Sequence, residues 1–220
     1  MELSQLIDIM SGGIVESLYM TVVSTLLAYL FGIPLGVVLY ITDKGGIAEN
    51  RVINAQVGTV VNLLRSVPFI ILLVAILPFT RFVVGTTIGA TATIVPLVVA
   101  ATPFVARMVE SSLKEVDGGV IEAALSMGSN NWQIITKVLL PEAKPSLIVG
   151  STIAITTILG YSAMAGFVGG GGLGAIGINY GYYRYQEDIM LITVVLLVII
   201  VQVFQETGMR IATKTDKRRR

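Results

Sequence analysis

The sequence predicts an all-α, polytopic integral membrane protein with five transmembrane helices, and three observations carry that prediction. Of its 220 residues, 54% are hydrophobic and only 13% charged, against roughly 25% charged in an ordinary soluble domain. The mean hydropathy is +0.83, and the chain contains charge-free windows longer than the about 20 residues a helix needs to cross a hydrocarbon layer. Lysine and arginine gather in alternate connections between those windows, the asymmetry that orients membrane helices. Runs of this length exceed the roughly 10-residue strands of a membrane barrel, so they are read as helices.

Taken in order, the chain opens on MELSQLIDIMSGG, which is acidic and lacks both the basic start and the small-residue cleavage site of a secretory signal. The first span is therefore expected to be retained. No charge occurs between Glu16 and Asp43, which places that span at about 18–41. A second is read at about 57–79, VGTVVNLLRSVPFIILLVAILPF, as one helix with Arg65 inside it. On a straight helix Arg65 would lie about 21 Å from Phe79, toward the inner face, where it either snorkels to the headgroups, pairs inside the bundle or lines a vestibule. The window between Arg81 and Arg107 gives a third span at about 86–106. The window between Lys144 and Arg184 holds a fourth at about 147–166, and its remainder, GGGGLGAIGINYGYYRY, is read as a loop. A fifth, nearly pure Leu, Ile and Val, runs over about 189–208.

Five spans put the termini on opposite sides. Lys44 and Arg51, then Arg107, Lys114, Lys137 and Lys144, then Arg210, Lys214, Lys217, Arg218, Arg219 and Arg220 fall on one side, with only Arg81 and Arg184 on the other. The positive side is the cytoplasmic one, so the amino terminus is expected outside and the carboxyl terminus in the cytoplasm. The whole of 1–220 is expected to form one membrane domain, too small to enclose a pathway alone, which predicts a homodimer set in the lipid bilayer.

With no cysteine and no histidine, the chain has no disulfide, no Cys/His metal site, no thiolate nucleophile and no imidazole base. A net charge of +1 argues against a nucleic-acid partner. Apart from Glu206 near the inner end of the fifth, no acidic residue falls within the predicted spans, which argues against an intramembrane aspartyl or metalloprotease and leaves only a Ser-Lys site for an enzyme reading. A passive channel is the other competing class.

The connection between spans three and four is unusually long and helix-forming, and connections of that kind are usually functional. In EAALSMGSNNWQIITKVLLP, positions 122–141, Gly128 is expected to end one helix and Ser129, Asn130 and Asn131 to cap the next. The second helix is then expected to be stopped by Pro141 and Pro145. Glu122-Ala123-Ala124, Gly128 three residues on, and Val138-Leu139-Leu140-Pro141 after nine more closely resemble the EAA motif of binding-protein-dependent ABC transporter permeases. Val138 stands where that motif has isoleucine, a difference of one methylene. The resemblance implies that this segment docks on a separate ATPase, with Glu122, Ala123, Ala124, Gly128, Leu140 and Pro141 as the coupling residues. Small residues there permit close backbone approach, and the docking reading displaces the blander one of a helix covering headgroups.

RSVPFIILLVAILPFTRFVVGTTIG (65–89), PFVARMVE (103–110) and GYSAMAGFVGGGGLG (160–174) further resemble the permeases of bacterial methionine importers, over most of 17–182. That implies a complex of two permeases, a cytoplasmic ATPase dimer and a periplasmic methionine-binding lipoprotein, importing both enantiomers of methionine; another small amino acid or an osmolyte is the alternative cargo. The chain has no G-x-x-x-x-G-K-[ST] and not even a Gly-Lys pair. It is thus expected to be no enzyme and to hold no cofactor, with ATP and magnesium bound by the partner ATPase.

Gly172-Leu173-Gly174-Ala175-Ile176-Gly177 matches G-x-G-x-x-G, but no strand precedes it and no acidic residue follows at the required distance. It is read as an external glycine loop, or a plain linker. Ala, Gly, Ser and Thr in spans three and four suit close packing and a wet pathway, with Arg65, Tyr161, Ser162 and Met164 as candidate pathway or gate residues.

Overall fold

The computed structural model describes residues 3–216; Lys217, Arg218, Arg219 and Arg220, counted above as inner-side cations, lie outside the described residues. Regular structure among the described residues is helical throughout. Helix α1 runs over Leu3–Thr42, α2 over Arg51–Ser66, α3 over Phe69–Ala75, α4 over Leu77–Val84 and α5 over Ala90–Lys114. Then come α6 (Gly118–Ser126), α7 (Asn131–Ile134), a π-helical turn (Ile135–Leu139), α8 (Leu140–Glu142) and α9 (Lys144–Met164). A 3-10 turn (Ala165–Val168), α10 (Gly172–Ile176), a second π-helical turn (Gly177–Tyr182) and α11 (Glu187–Thr215) complete the chain. Four helical runs are long and apolar enough to cross a membrane, and α2 with α3 makes a fifth when counted as one bent span.

The apolar centres sit where the charge-free windows put them, but the ends differ. Helix α1 begins near residue 3 rather than 18, because the amphipathic start continues the same helix. Its Met10 packs with Leu173 and Ile189 in a buried cluster. Span three runs on to Lys114, so Arg107, Glu110 and Lys114, assigned above to a connection, are helical. An acid-free reading therefore holds only for the central windows, since α1 carries Asp8 and Glu16, α5 carries Glu110 and α11 carries Glu187, Asp188 and Glu206.

Span two is not straight: α2 and α3 meet at a 100° bend. Pro68 is the cause, since it lacks an N–H to donate back and its ring excludes helical geometry from Val67. The distance reckoned for Arg65 along a straight helix therefore does not apply. Pro141 and Pro145 do the reverse of what was expected. Each stands in the first turn of a helix, Pro141 in α8 and Pro145 in α9, where a missing N–H costs nothing. The π-helical turn before Pro141 absorbs the mismatch, with Leu140 donating to the Ile135 carbonyl five residues back.

Glycine-rich 169–185 is also not a loop. Most of it is helical, because its glycines are packing surfaces: Gly172, Gly174, Gly177 and Gly181 are buried. A Cβ on Gly166 would lie 2.5 Å from the backbone of Gly174, closer than any side chain tolerates.

The chain falls into two compact units. The first comprises Met1–Ala28, Val67–Ala101 and Ala154–Gln205, and the second Tyr29–Ser66, Thr102–Ile153 and Glu206–Arg220. In the second, Gly32 and Gly36 form a small-xxx-small pair that lets α1 approach α5: a Cβ on either would come within 2.6 Å of Val105 or Val109. Leu39, Val61 and Ala106 close this unit's core.

Candidate functional site

The EAA segment lies wholly in the second unit. Asp117 caps α6 by accepting the Gly119 N–H at 2.7 Å. The helix ends in a Schellman arrangement, with Gly128 N–H on the Leu125 carbonyl at 2.9 Å and Ser129 N–H on the Ala124 carbonyl at 3.1 Å. Gly128 takes φ +80°, a left-handed conformation that glycine alone adopts without strain. Two residues on, Asn130 accepts the Gln133 N–H at 2.9 Å while Gln133 Oε1 accepts the Asn130 N–H at 3.0 Å. That reciprocal capping box starts α7, as the Asn-rich turn predicts.

The result is a capped helix, turn and helix that buries Ala124 and Ile134 but leaves three large apolar side chains outward. Leu125 is 47% exposed, Met127 80% and Trp132 72%, an arrangement that water alone does not favour. Of the predicted coupling residues, Glu122, Ala123, Gly128 and Pro141 are exposed and Leu140 half-buried. Ala124 is 3% exposed, so its methyl seats the helix on its own chain.

Elsewhere in the same unit, a charge network missed by the sequence reading ties α2 and α5 to the end of α1. Glu110, 6% exposed, receives Arg107 Nη1 at 2.6 Å and Lys114 Nζ at 2.8 Å. Arg107 Nη2 also donates to Asn62 Oδ1 at 2.9 Å, and Lys114 reaches Asp43 Oδ2 at 3.0 Å. Asn54 Nδ2 donates to the Leu39 carbonyl at 2.7 Å, satisfying a group at the end of α1. The Asp43 carboxyl is held below its ordinary range, first by the Lys114 ammonium and then by the Lys44 backbone N–H. The signal was in the sequence, since Arg107, Glu110 and Lys114 stand at i, i+3 and i+7, the spacing of ion pairs on a helix face.

The candidate pathway residues do not form one cluster. Arg65 is exposed in the last turn of α2. In the first unit, Tyr161 stacks on Phe69 with ring centroids 4.6 Å apart and planes 5° from parallel. Ser162 is buried and donates to the Leu159 carbonyl at 2.7 Å, and Met164 is 49% exposed. Two residues not singled out by sequence reach the glycine segment. Glu16 Oε2 accepts the Gly172 N–H at 2.6 Å, and Ser17 Oγ accepts the Leu173 N–H at 2.8 Å. No local pattern could have paired groups 156 residues apart. Among the described residues no group of His, Cys, Asp or Glu is placed to hold a metal ion.

Residues 32–212 match the family of binding-protein-dependent transport system inner membrane components. The chain is 51% identical over 203 residues to a probable D-methionine transport system permease protein of Vibrio cholerae, covering 92% of this chain and 90% of that protein. It is 52% identical over 154 residues to the D-methionine transport system permease protein of Escherichia coli K12, covering 70% and 71%. Among solved structures, it superposes with a TM-score of 0.96 and 48% identity on a chain of the MetNI methionine ABC transporter in inward-facing conformations, over 99% of this chain and 100% of that one. An amino acid ABC transporter chain at 17% identity and a TM-score of 0.79 shares the fold.

Proposed function

Because the chain belongs to the family of binding-protein-dependent transport system inner membrane components, we propose that it is the permease of a methionine ABC importer. Its near-full-length likeness to methionine permeases is the observation that carries this reading. It is an inner-membrane transport subunit rather than an enzyme. A partner ATPase binds ATP and magnesium, two copies of this chain enclose the pathway, and a periplasmic binding lipoprotein delivers L- or D-methionine. The termini lie as the positive charges place them, amino end outside and carboxyl end in the cytoplasm.

Coupling runs through the EAA segment. Leu125, Met127 and Trp132 form the apolar anchor that enters a groove of the ATPase, and an anchor of this kind carries most of the energy of a docking surface. The capping box and the Gly128 turn hold the anchor rigid, so that movement of the ATPase is passed on rather than absorbed.

Met127→Asp combined with Trp132→Ala tests the docking. Both side chains are exposed, so the permease should insert at wild-type amounts, while ATPase co-purification and transport fall by at least about tenfold, the effect of roughly 1.4 kcal/mol. These positions are preferred to Gly128, where any replacement strains the backbone by itself. Wild-type assembly and uptake in the double variant would rule out this docking surface.

A further inference from the structure

Hydroxyls inside membrane helices commonly donate to the carbonyl three or four residues back. Thr25, Thr42, Thr93, Ser162 and Thr193 all do so, at 2.6 to 3.0 Å. Thr21, Ser24 and Thr80 do not. They are 0%, 0% and 1% exposed, and their Oγ atoms find no hydrogen-bond partner among the described residues. A buried hydroxyl left this way is costly, and all three stand in the same unit. Groups of this kind call for an explanation, in strain, in water or in function.

Two further observations connect them. Ser17, Thr21 and Ser24 are spaced by four and three residues, so they share one face of α1. Ser17 is where the glycine segment is fastened. Gly172 takes φ +78°, and a Cβ on Gly171 or Gly172 would lie 2.5 Å from the Glu16 carboxylate or the Ser17 hydroxyl. The glycines are thus what lets those two acceptors reach the backbone. Thr80 borders the same segment, since it lines with Val168 and Gly170 a cavity of only about 10 Å³, barely the space of one water molecule.

We propose that Glu16 and Ser17 form a latch holding Gly172 and Leu173 on α1, and that Thr21, Ser24 and Thr80 are pathway hydroxyls kept dry while it is closed. When the outer side opens, the segment leaves α1, and water and the passing zwitterion reach these three groups. The segment is built for such a movement. It consists of a 3-10 turn, one short helix and a π-helical turn joined at left-handed glycines 169 and 172, with no long regular helix to break. The latch is two hydrogen bonds that water can replace. Uncharged hydroxyls also suit a passage, because a zwitterion bound strongly there would leave slowly. The inference rests on the importer reading and assigns that pathway its outer lining.

The absence of native cysteine permits a direct test. Thr21→Cys and Ser24→Cys permeases, assembled with ATPase and binding protein in lipid nanodiscs, are treated with a charged methanethiosulfonate reagent. Labelling should be slow at rest and at least tenfold faster with methionine-loaded binding protein and a non-hydrolysable ATP analogue. Adding Glu16→Ala should speed resting labelling and raise ATP hydrolysis in the absence of binding protein. Equal labelling in both states, in variants that still take up methionine, overturns the lining. Hydrogen exchange of the Gly172 and Leu173 amides in the cysteine-free complex gives a readout that needs no substitution: protection at rest lost in the loaded state supports the latch, and unchanged protection overturns it. Wild-type complex that takes up no methionine would instead sink the importer reading, and the inference with it.

Discussion

The two units share α1, α5, α9 and α11, yet they are held by different chemistry. Of the eleven lysines and arginines among the described residues, nine lie in the second unit, and only Arg81 and Arg184 in the first. The ion pairs of Glu110 with Arg107 and Lys114, and of Arg210 with Glu206, are all in the second. The first unit is closed by glycine backbones in contact and by single hydrogen bonds from α1, and it holds the three unpartnered hydroxyls. Charge networks and capping boxes fix one geometry, whereas close backbone packing with few polar ties leaves a second geometry accessible. The proposed importer would use both, a stiff base to receive force and a gate that can part.

The largest test of this contrast falls on the first unit. Gly174→Ala would drive a methyl into the backbone of Ala163, which cannot yield as a flexible side chain can. Overpacking of this kind should cost about 3 kcal/mol and lower the midpoint of thermal unfolding. Gly12→Ala, with nothing within 4 Å of the new methyl, should be neutral or gain up to about 1 kcal/mol of helix propensity. If the two variants unfold alike, backbone proximity is not what closes this unit.

In the second unit the corresponding variant is Glu110→Ala. It leaves Arg107 and Lys114 without their common partner, and breaking a buried pair costs about 3 to 5 kcal/mol. Arg107 is 26% and Lys114 50% exposed at the side chain, so water recovers part of that, and a loss of about 2 kcal/mol is expected. The contrast sharpens if hydrogen exchange rises at the α2 and α5 amides near the network while Gly172 and Leu173 stay protected. Exchange that rises equally in both places would show the two regions to be one cooperative whole.

The sequence made legible what depends on composition and local spacing. The apolar centres of the spans, the turn at Gly128 and the Asn130 cap all follow from patterns within a few residues. Helix ends were misjudged where polar residues stay helical through tertiary ties, as at Glu110, or where the amphipathic start of α1 finds Leu173 to pack on. Glycine 169–185 was misread for a physical reason: the property that makes glycine favour loops, a missing side chain, also lets backbones touch, and only the fold decides which use applies. Pro68 and Pro141 show the same ambiguity, one breaking a span and the other starting a helix. The latch was out of reach, because its partners are joined only by the folded chain.

The smallest expected effect concerns Asp43, at the exposed edge of the charge network. Its carboxyl is held below the ordinary 3.8, chiefly by the Lys114 ammonium and then by the Lys44 N–H. A carboxyl with a depressed value in the folded state binds fewer protons there than in the unfolded chain. Its contribution is therefore complete above the unfolded value and is lost as pH falls through the folded one. The Asp43 side chain is 41% exposed and that of Lys114 50%, so solvent and salt screen the pair and at most about 1 kcal/mol is at stake. Asp43→Asn should accordingly cost little at pH 7, remove part of the stability lost on acidification below about pH 4, and respond less to added salt than the wild type. Unfolding midpoints measured from pH 3 to 7 in low and high salt would check this. If Asp43→Asn costs as much as Glu110→Ala at pH 7, the network does not grade from buried to exposed, and Asp43 belongs to the stiff base rather than to its edge.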